Sequence, residues 1–248
     1  MQKSNQKPVL VTRGIVVYPN MSKTLSIGRD KSIKAVLDAY SKHDKYIILV
    51  SQTNPQTEEP NLDDIYTVGT LCSITSMDRK HEDDINITVR GINTVVINKL
   101  LLKDGCYVAS YTNRNDEKAT KEQIADAYHL VVGMLNDAEN TKDIFAETKL
   151  SFDKIKQTQV SLTTVIYQIA SWFDDLLLSD RQQILNCANI VDRAKVLSKY
   201  LINPSRSRKI DEDLNRKINE EMNKQQKEFY LRHKLGTIKD QLGELSSA

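Results

Sequence analysis

His43, His81, His129 and His233 are the side chains best suited to move protons or hold a metal near neutral pH. None belongs to an HExxH or comparable ligand spacing, and no Ser or Cys stands in a nucleophile-elbow pattern. Cys72, Cys106 and Cys187 lie far apart and never form a CxxC pair, which argues against a zinc knuckle or a disulfide framework and fits a reducing cytosol. A phosphate-binding loop needs clustered glycines ahead of a Lys-Ser/Thr pair. The 8 glycines here are scattered and none is followed by lysine, so neither direct ATP binding nor hydrolysis is expected of this chain. What remains is recognition.

Two short stretches are candidates for it. Tyr18-Pro19-Asn20-Met21 joins apolar segments, and an exposed Tyr and Met at a turn would adapt to varied apolar partners; the alternative is that they pack into the end of the β-unit. Arg29, Asp30 and Lys31 begin a helix and would make charged contacts with a protein partner, or simply form a solvated cap. Arg206, Arg208, Lys209, Arg216 and Lys217 form a basic stretch without interleaved aromatics, which allows a weak contact with nucleic-acid phosphates but no base stacking.

The bulk properties agree with a binding protein. The chain has 248 residues, 27% charged and 40% hydrophobic, and a formal net charge of +2, so it carries no global electrostatic signature for nucleic acid or anionic lipid. Its first residues are polar, and the apolar stretch that follows is broken by Arg13 and Gly14, so no secretory segment forms. No apolar run approaches the length of a membrane span, and a cytoplasmic location is expected.

The elements that must position these residues change character near Lys118. Before it, β-branched runs recur between Gly, Pro, Asn and Asp, which predicts a β-rich unit. One helix interrupts it, with Asp30 as its cap and Ile33, Val36, Leu37 and Tyr40 as its apolar stripe. Strands are expected at Tyr46 to Val50, Ile65 to Met77, Ile85 to Arg90, Ile92 to Leu102 and Cys106 to Thr112. Asp78 to Asp84 reads as a hairpin loop, Gly91 as a bulge and Asp104-Gly105 as a turn. Strands so closely spaced would close, or nearly close, a small barrel.

After Lys118 the apolar period becomes helical. Ile124, Tyr128, Val131 and Leu135 form one stripe; Val165, Ile166, Ile169 and Phe173 form another. Ser179 and Gln182 have the spacing of a capping box, and Ala194, Leu197 and Leu201 align on a further helix. Beyond Asn203-Pro204, a helix from Ser205 to Gly243 would be about 58 Å long. Its Ile210, Leu214, Ile218 and Met222 step by four, and Leu231, Leu235, Ile238 and Leu242 have coiled-coil spacing. This seam needs a partner in the same chain, in a second copy or in a following domain.

Several separated segments resemble Lon-type ATP-dependent proteases in the same order. They are Arg13-Gly14-Ile15-Val16-Val17-Tyr18-Pro19, read as an opening strand and turn, then Gly28-Arg29 with Ser32-Ile33 and Ala35, Leu49-Val50-Ser51-Gln52, and Asp64-Ile65-Tyr66-Thr67-Val68-Gly69-Thr70. The most specific is Met222 to Glu244, with Lys227-Glu228-Phe229-Tyr230-Leu231-Arg232, Leu235, Ile238 and Leu242-Gly243-Glu244, similar to the signature just upstream of the Lon ATPase. Pro204 and Gly236 depart from the family pattern.

The resemblance implies an α+β fold. A PUA-like β-barrel or sheet domain would occupy residues 1–116, a helical bundle 117–203, and a long helix 204–248 leading to an ATPase module that is absent here. It further implies a substrate-recruiting region that binds unfolded or degron-bearing proteins and supports hexamer assembly. ATP and Mg would be handled by the missing ATPase module, and no cofactor by this chain. A stand-alone adaptor or RNA-associated barrel protein is the alternative.

Overall fold

The Val-, Ile- and Leu-rich runs at the start of the chain become strands whose side chains feed two different cores. In β1 (Gln6–Thr12), Leu10 joins a core shared with the first helix, while Val9 and Val11 point the other way; in β3 (Tyr46–Ser51), Ile47 and Leu49 are likewise separated from Ile48 and Val50. This is the period-2 alternation of a strand buried on both faces. The computed structural model describes residues 6–81, 84–137, 157–173 and 176–202. These belong to a compact unit, Met1–Ile202. The second unit, Asn203–Ala248, lies outside the described residues, and with it the expected long helix, its basic stretch and its seam of Met222, Leu231, Leu235, Ile238 and Leu242.

The remaining strands are β2 (Ser22–Ile27), β4 (Val68–His81), β5 (Asp84–Lys103) and β6 (Cys106–Asn113). The order is β2-β5-β4-β3-β1-β6, and β6 pairs again with β5, so β5, β4, β3, β1 and β6 form a closed ring to which β2 is added along β5. β5 makes this closure through its length. Its first part runs antiparallel to β2, and its second part, from Val95 to Lys103, runs antiparallel to β6. The register with β4 slips at Leu71/Cys72, where Ile92 follows Gly91 as an extra residue, as the glycine suggested. Asp104 and Gly105 both have positive φ, 50° and 80°, the geometry of a two-residue hairpin turn.

Three expectations about this half need correction. The opening strand is Gln6–Thr12 and not Arg13 to Pro19. Gly14 turns the chain at φ 83°, and the Thr12 hydroxyl donates to the Ile15 carbonyl at 2.7 Å, which takes the following residues off the ladder. Asp30 does not cap helix α1 (Asp30–Lys42): Arg29 is the cap residue, its carbonyl accepts from the amides of Ser32 and Ile33, and Asp30 is the first helical residue. A carboxylate in that first turn is still favoured by the helix dipole. Finally, the charged segment after Asp78 does not loop out at once, because pairing persists to His81↔Asp84. Ladder bonds use the main chain and do not require apolar side chains.

After β6 the chain becomes helical: α2 (Lys121–Asp137), α3 (Gln159–Trp172), α4 (Leu178–Asn186) and α5 (Ile190–Ile202). Thr158 caps α3, accepting from the Ser161 amide at 3.2 Å. Ala127 and Val131 of α2, Leu162, Ile166 and Ile169 of α3, and Ala194 and Leu197 of α5 form one buried core, which also takes in Tyr18 and Val68 from the β-half. Ser179 and Gln182 do not form a capping box. Leu177 is the cap residue of α4 and makes no side-chain bond, and Gln182 is buried.

The turn from Tyr18 to Met21 lies directly on Gly91. Asn20 donates to the Gly91 carbonyl and the Gly91 amide to the Met21 carbonyl, both at 2.9 Å. A Cβ at Gly91 would overlap the Tyr18 carbonyl, whose carbon would be 2.8 Å away. Gly91→Ala is therefore expected to lower stability by about 2 kcal/mol or more, measured by urea unfolding, because neither backbone has room to retreat.

Candidate functional site

Tyr18 is not the exposed gripping residue that its place beside a turn suggested. It is 1% exposed, its ring stacks on Tyr167 of α3 at 4.8 Å and 11°, and its hydroxyl donates to the Arg181 carbonyl at 3.0 Å. Pro19 is half-buried and bridged to Gly91. Met21 is half-buried against the helical core. Tyr18 and Met21 join the two halves of the unit, and of this turn only Asn20 is exposed.

The other face of Tyr167 carries Arg193, its guanidinium 4.8 Å from the ring centre. Arg193 is completely buried. It makes a bidentate pair with Asp116, both contacts at 2.7 Å, donates to Thr163 at 3.2 Å and Ile184 at 3.3 Å, and also donates to the Cys187 carbonyl. Burial works against its charge, but the Asp116 hydrogen bonds and the neighbouring Tyr167 more than offset it, so the guanidinium holds its proton more firmly than a free arginine. Gln182 adds a further tie: its amide donates to the Val68 carbonyl at 2.8 Å and to Asn186 at 2.9 Å. None of Arg193, Asp116, Tyr167 or Gln182 was singled out as a tether from sequence. One signal was available, because Arg193 sits at i+3 in the buried stripe Ile190, Ala194, Leu197, where a charge needs an internal partner.

Arg29, Asp30 and Lys31 are brought together elsewhere. They line a cleft of about 220 Å³ whose other walls include Glu58, Glu59 and Tyr107. Lys31 pairs with Glu59 at 2.6 Å and lies over the Tyr107 ring at 5.6 Å, while Asp30 is exposed. The charges here are largely matched within the cleft. Arg29 is different: it donates to the neutral Gln52 side chain at 3.1 Å and to the Val11 carbonyl, and burial together with the nearby Arg13 charge lowers its pKa. Among the described residues no group of three or more His, Cys, Asp or Glu could hold a metal ion, and no helix is long and apolar enough to cross a membrane.

Residues 6–203 match the family model of the ATP-dependent protease La (LON) substrate-binding domain. The chain belongs to this family. It is 35% identical over 254 residues to the Lon protease of Malacoplasma penetrans, covering 96% of this chain and 31% of that protein. To the Lon protease of Brevibacillus choshinensis it is 29% identical over 241 residues, covering 96% and 30%. The chain thus spans about 30% of the length of these curated relatives. In fold it is similar to the N-terminal domain of the Mycobacterium avium complex Lon protease, with a TM-score of 0.59 at 18% identity over 80% of this chain and 98% of that one. A Lon N-terminal domain protein from Xanthomonas campestris gives 0.51 at 13%, over 79% and 98%. The shared fold is that of a Lon N-terminal domain, a mixed sheet with several helices.

The aromatic junction makes the Lon-type unit sensitive to alkali. Burial raises the Tyr167 phenol from 10.0 to about 12 and pushes Tyr18 up in the same direction. Folded-state pKa values above the unfolded ones mean that the contribution is complete below pH 10 and is lost as pH rises towards about 12. The urea midpoint is expected to fall across that window, and to fall less steeply in Tyr18→Phe/Tyr167→Phe. At neutral pH, Tyr18→Phe alone should cost about 1 kcal/mol, since the Arg181 carbonyl loses its donor while the ring stack stays.

Proposed function

We propose that this chain is the substrate-recruiting part of an ATP-dependent serine protease of the Lon type, binding exposed segments of damaged, misfolded or degron-bearing proteins without catalysing a reaction itself. The observation that carries the reading is the match to the Lon substrate-binding model, which runs from β1 through the last described helix. On this reading the strand ring is the PUA-like barrel of the family, and the long helix after Asn203 leads to the ATPase. ATP and Mg are handled there. Hexamer assembly in the cytoplasm multiplies weak sites, so capture needs no tight individual contact. Such a recruiter benefits from a rigid body, because ordering a loose one on binding would subtract from already modest affinity.

Titrating the 248-residue chain into a fluorescently labelled, permanently unfolded model protein tests this. Saturable association in the micromolar range, competed by other unfolded chains and not by their folded forms, is the expected outcome. No association at any accessible concentration, or equal binding of folded and unfolded forms, would overturn it.

A further inference from the structure

The strand ring is closed through β5 and β6, but two strand edges beside it lack a strand partner among the described residues. β6 pairs with β1 only over Gln6 to Val9, so on that side Leu10 to Thr12 have no strand partner among the described residues. Among the described residues β2 pairs with β5 alone, so no strand lies along its outer edge there. Both edges border one groove of about 290 Å³, whose walls include Leu10, Val11, Leu25 and Ile27. The side chains of these four are committed to the two cores, so what they offer the groove is chiefly main chain. Half-buried Ile15 supplies an apolar contact beside them.

The charge of the groove is one-sided. Arg13, exposed, and Arg29, half-buried, both line it, and no Asp or Glu does. Among the described residues neither arginine has a carboxylate within ion-pair distance. The neighbouring cleft at Lys31, which shares Val11, Arg29 and Ser32 with this groove, differs in carrying Asp30, Glu58 and Glu59, so Arg13 is the arginine that faces the groove alone. Arg29 already donates to the Val11 carbonyl, so on the β1 side that acceptor is occupied from within and β2 is the edge left for a further strand.

We infer that the groove between β1 and β2 binds an extended internal polypeptide segment, held by main-chain hydrogen bonds to the outer edge of β2 and by an Asp or Glu side chain placed against Arg13 and Arg29. Strand addition supplies affinity without regard to sequence, and the arginine pair selects acidic segments. A nucleic-acid phosphate would satisfy the arginines but would leave the edge of β2 and Ile15 unmatched. The inference rests on the recruiting role proposed above and names a class of segment for it.

The test is fluorescence anisotropy with the full 248-residue chain and a labelled, C-terminally amidated peptide of alternating Val and Thr carrying two central Asp residues. Saturable binding is expected, weakened about tenfold or more when both Asp are replaced by Asn, and weakened similarly by Arg13→Glu. Arg13 is exposed and makes no side-chain hydrogen bond or ion pair among the described residues, so an unchanged melting temperature should accompany that loss. A peptide with alternate backbone nitrogens methylated should fail to bind. Equal affinity for the Asn peptide, no effect of Arg13→Glu, binding that appears only with a free C-terminal carboxylate, or displacement of the peptide by an oligonucleotide that binds more tightly would each overturn the inference. If unfolded protein still binds while the acidic peptide shows no preference, the groove inference falls and recruitment stands. Acid-dependent peptide binding without capture of unfolded protein would do the reverse.

Discussion

A guanidinium with no exposure to water organises the junction on which this unit depends. Arg193 would be prohibitively costly at its position without neutralisation, and the structure provides it on every side: Asp116 at 2.7 Å, carbonyls at the end of α4, and the face of Tyr167. Each partner comes from a different element. Asp116 belongs to the link after β6, Tyr167 to α3 and the carbonyls to the segment between α4 and α5, so satisfying one charge fixes three relative positions. Tyr167 then passes the constraint on, since its second face holds Tyr18.

The β-half and the helices therefore behave as one body, although their patterns differ. Gln182 fastened to Val68, Arg114 reaching the Leu185 carbonyl, and the Glu117 amide on the Ala188 carbonyl all cross the same boundary. Directional bonds of this kind add little net energy singly, but a misplaced junction would leave several buried polar groups unpaired at once. These cross-boundary bonds involve neither the stretch of β1 that outruns β6 nor β2.

Much of the local architecture was legible. The strands at Tyr46 to Val50, Ile85 to Arg90 and Ile92 to Leu102, the Gly91 bulge, the Asp104-Gly105 turn, the helical change after Lys118 and the buried stripe Val165, Ile166, Ile169 all rest on local periodicity or backbone preference, which neighbours in sequence suffice to specify. The readings that failed share a feature. Tyr18 looked like a turn residue, Asp30 like a cap and Ser179 with Gln182 like a capping box. In each case a polar group had a competing partner or role that spacing does not reveal, and for Tyr18 that partner is 163 residues away.

By itself, then, the sequence determined the family, the succession of strands and helices, and the lack of any recognisable catalytic spacing among the histidines, cysteines and glycines, because these depend on residue type and short-range order. Tertiary structure alone decided which of the polar candidates are structural and which face a cleft. Burial and charge pairing are properties of residues brought together from distant parts of the chain. Arg29 and Arg13 share a groove without a carboxylate, while Arg193, equally basic on paper, is locked inside with one.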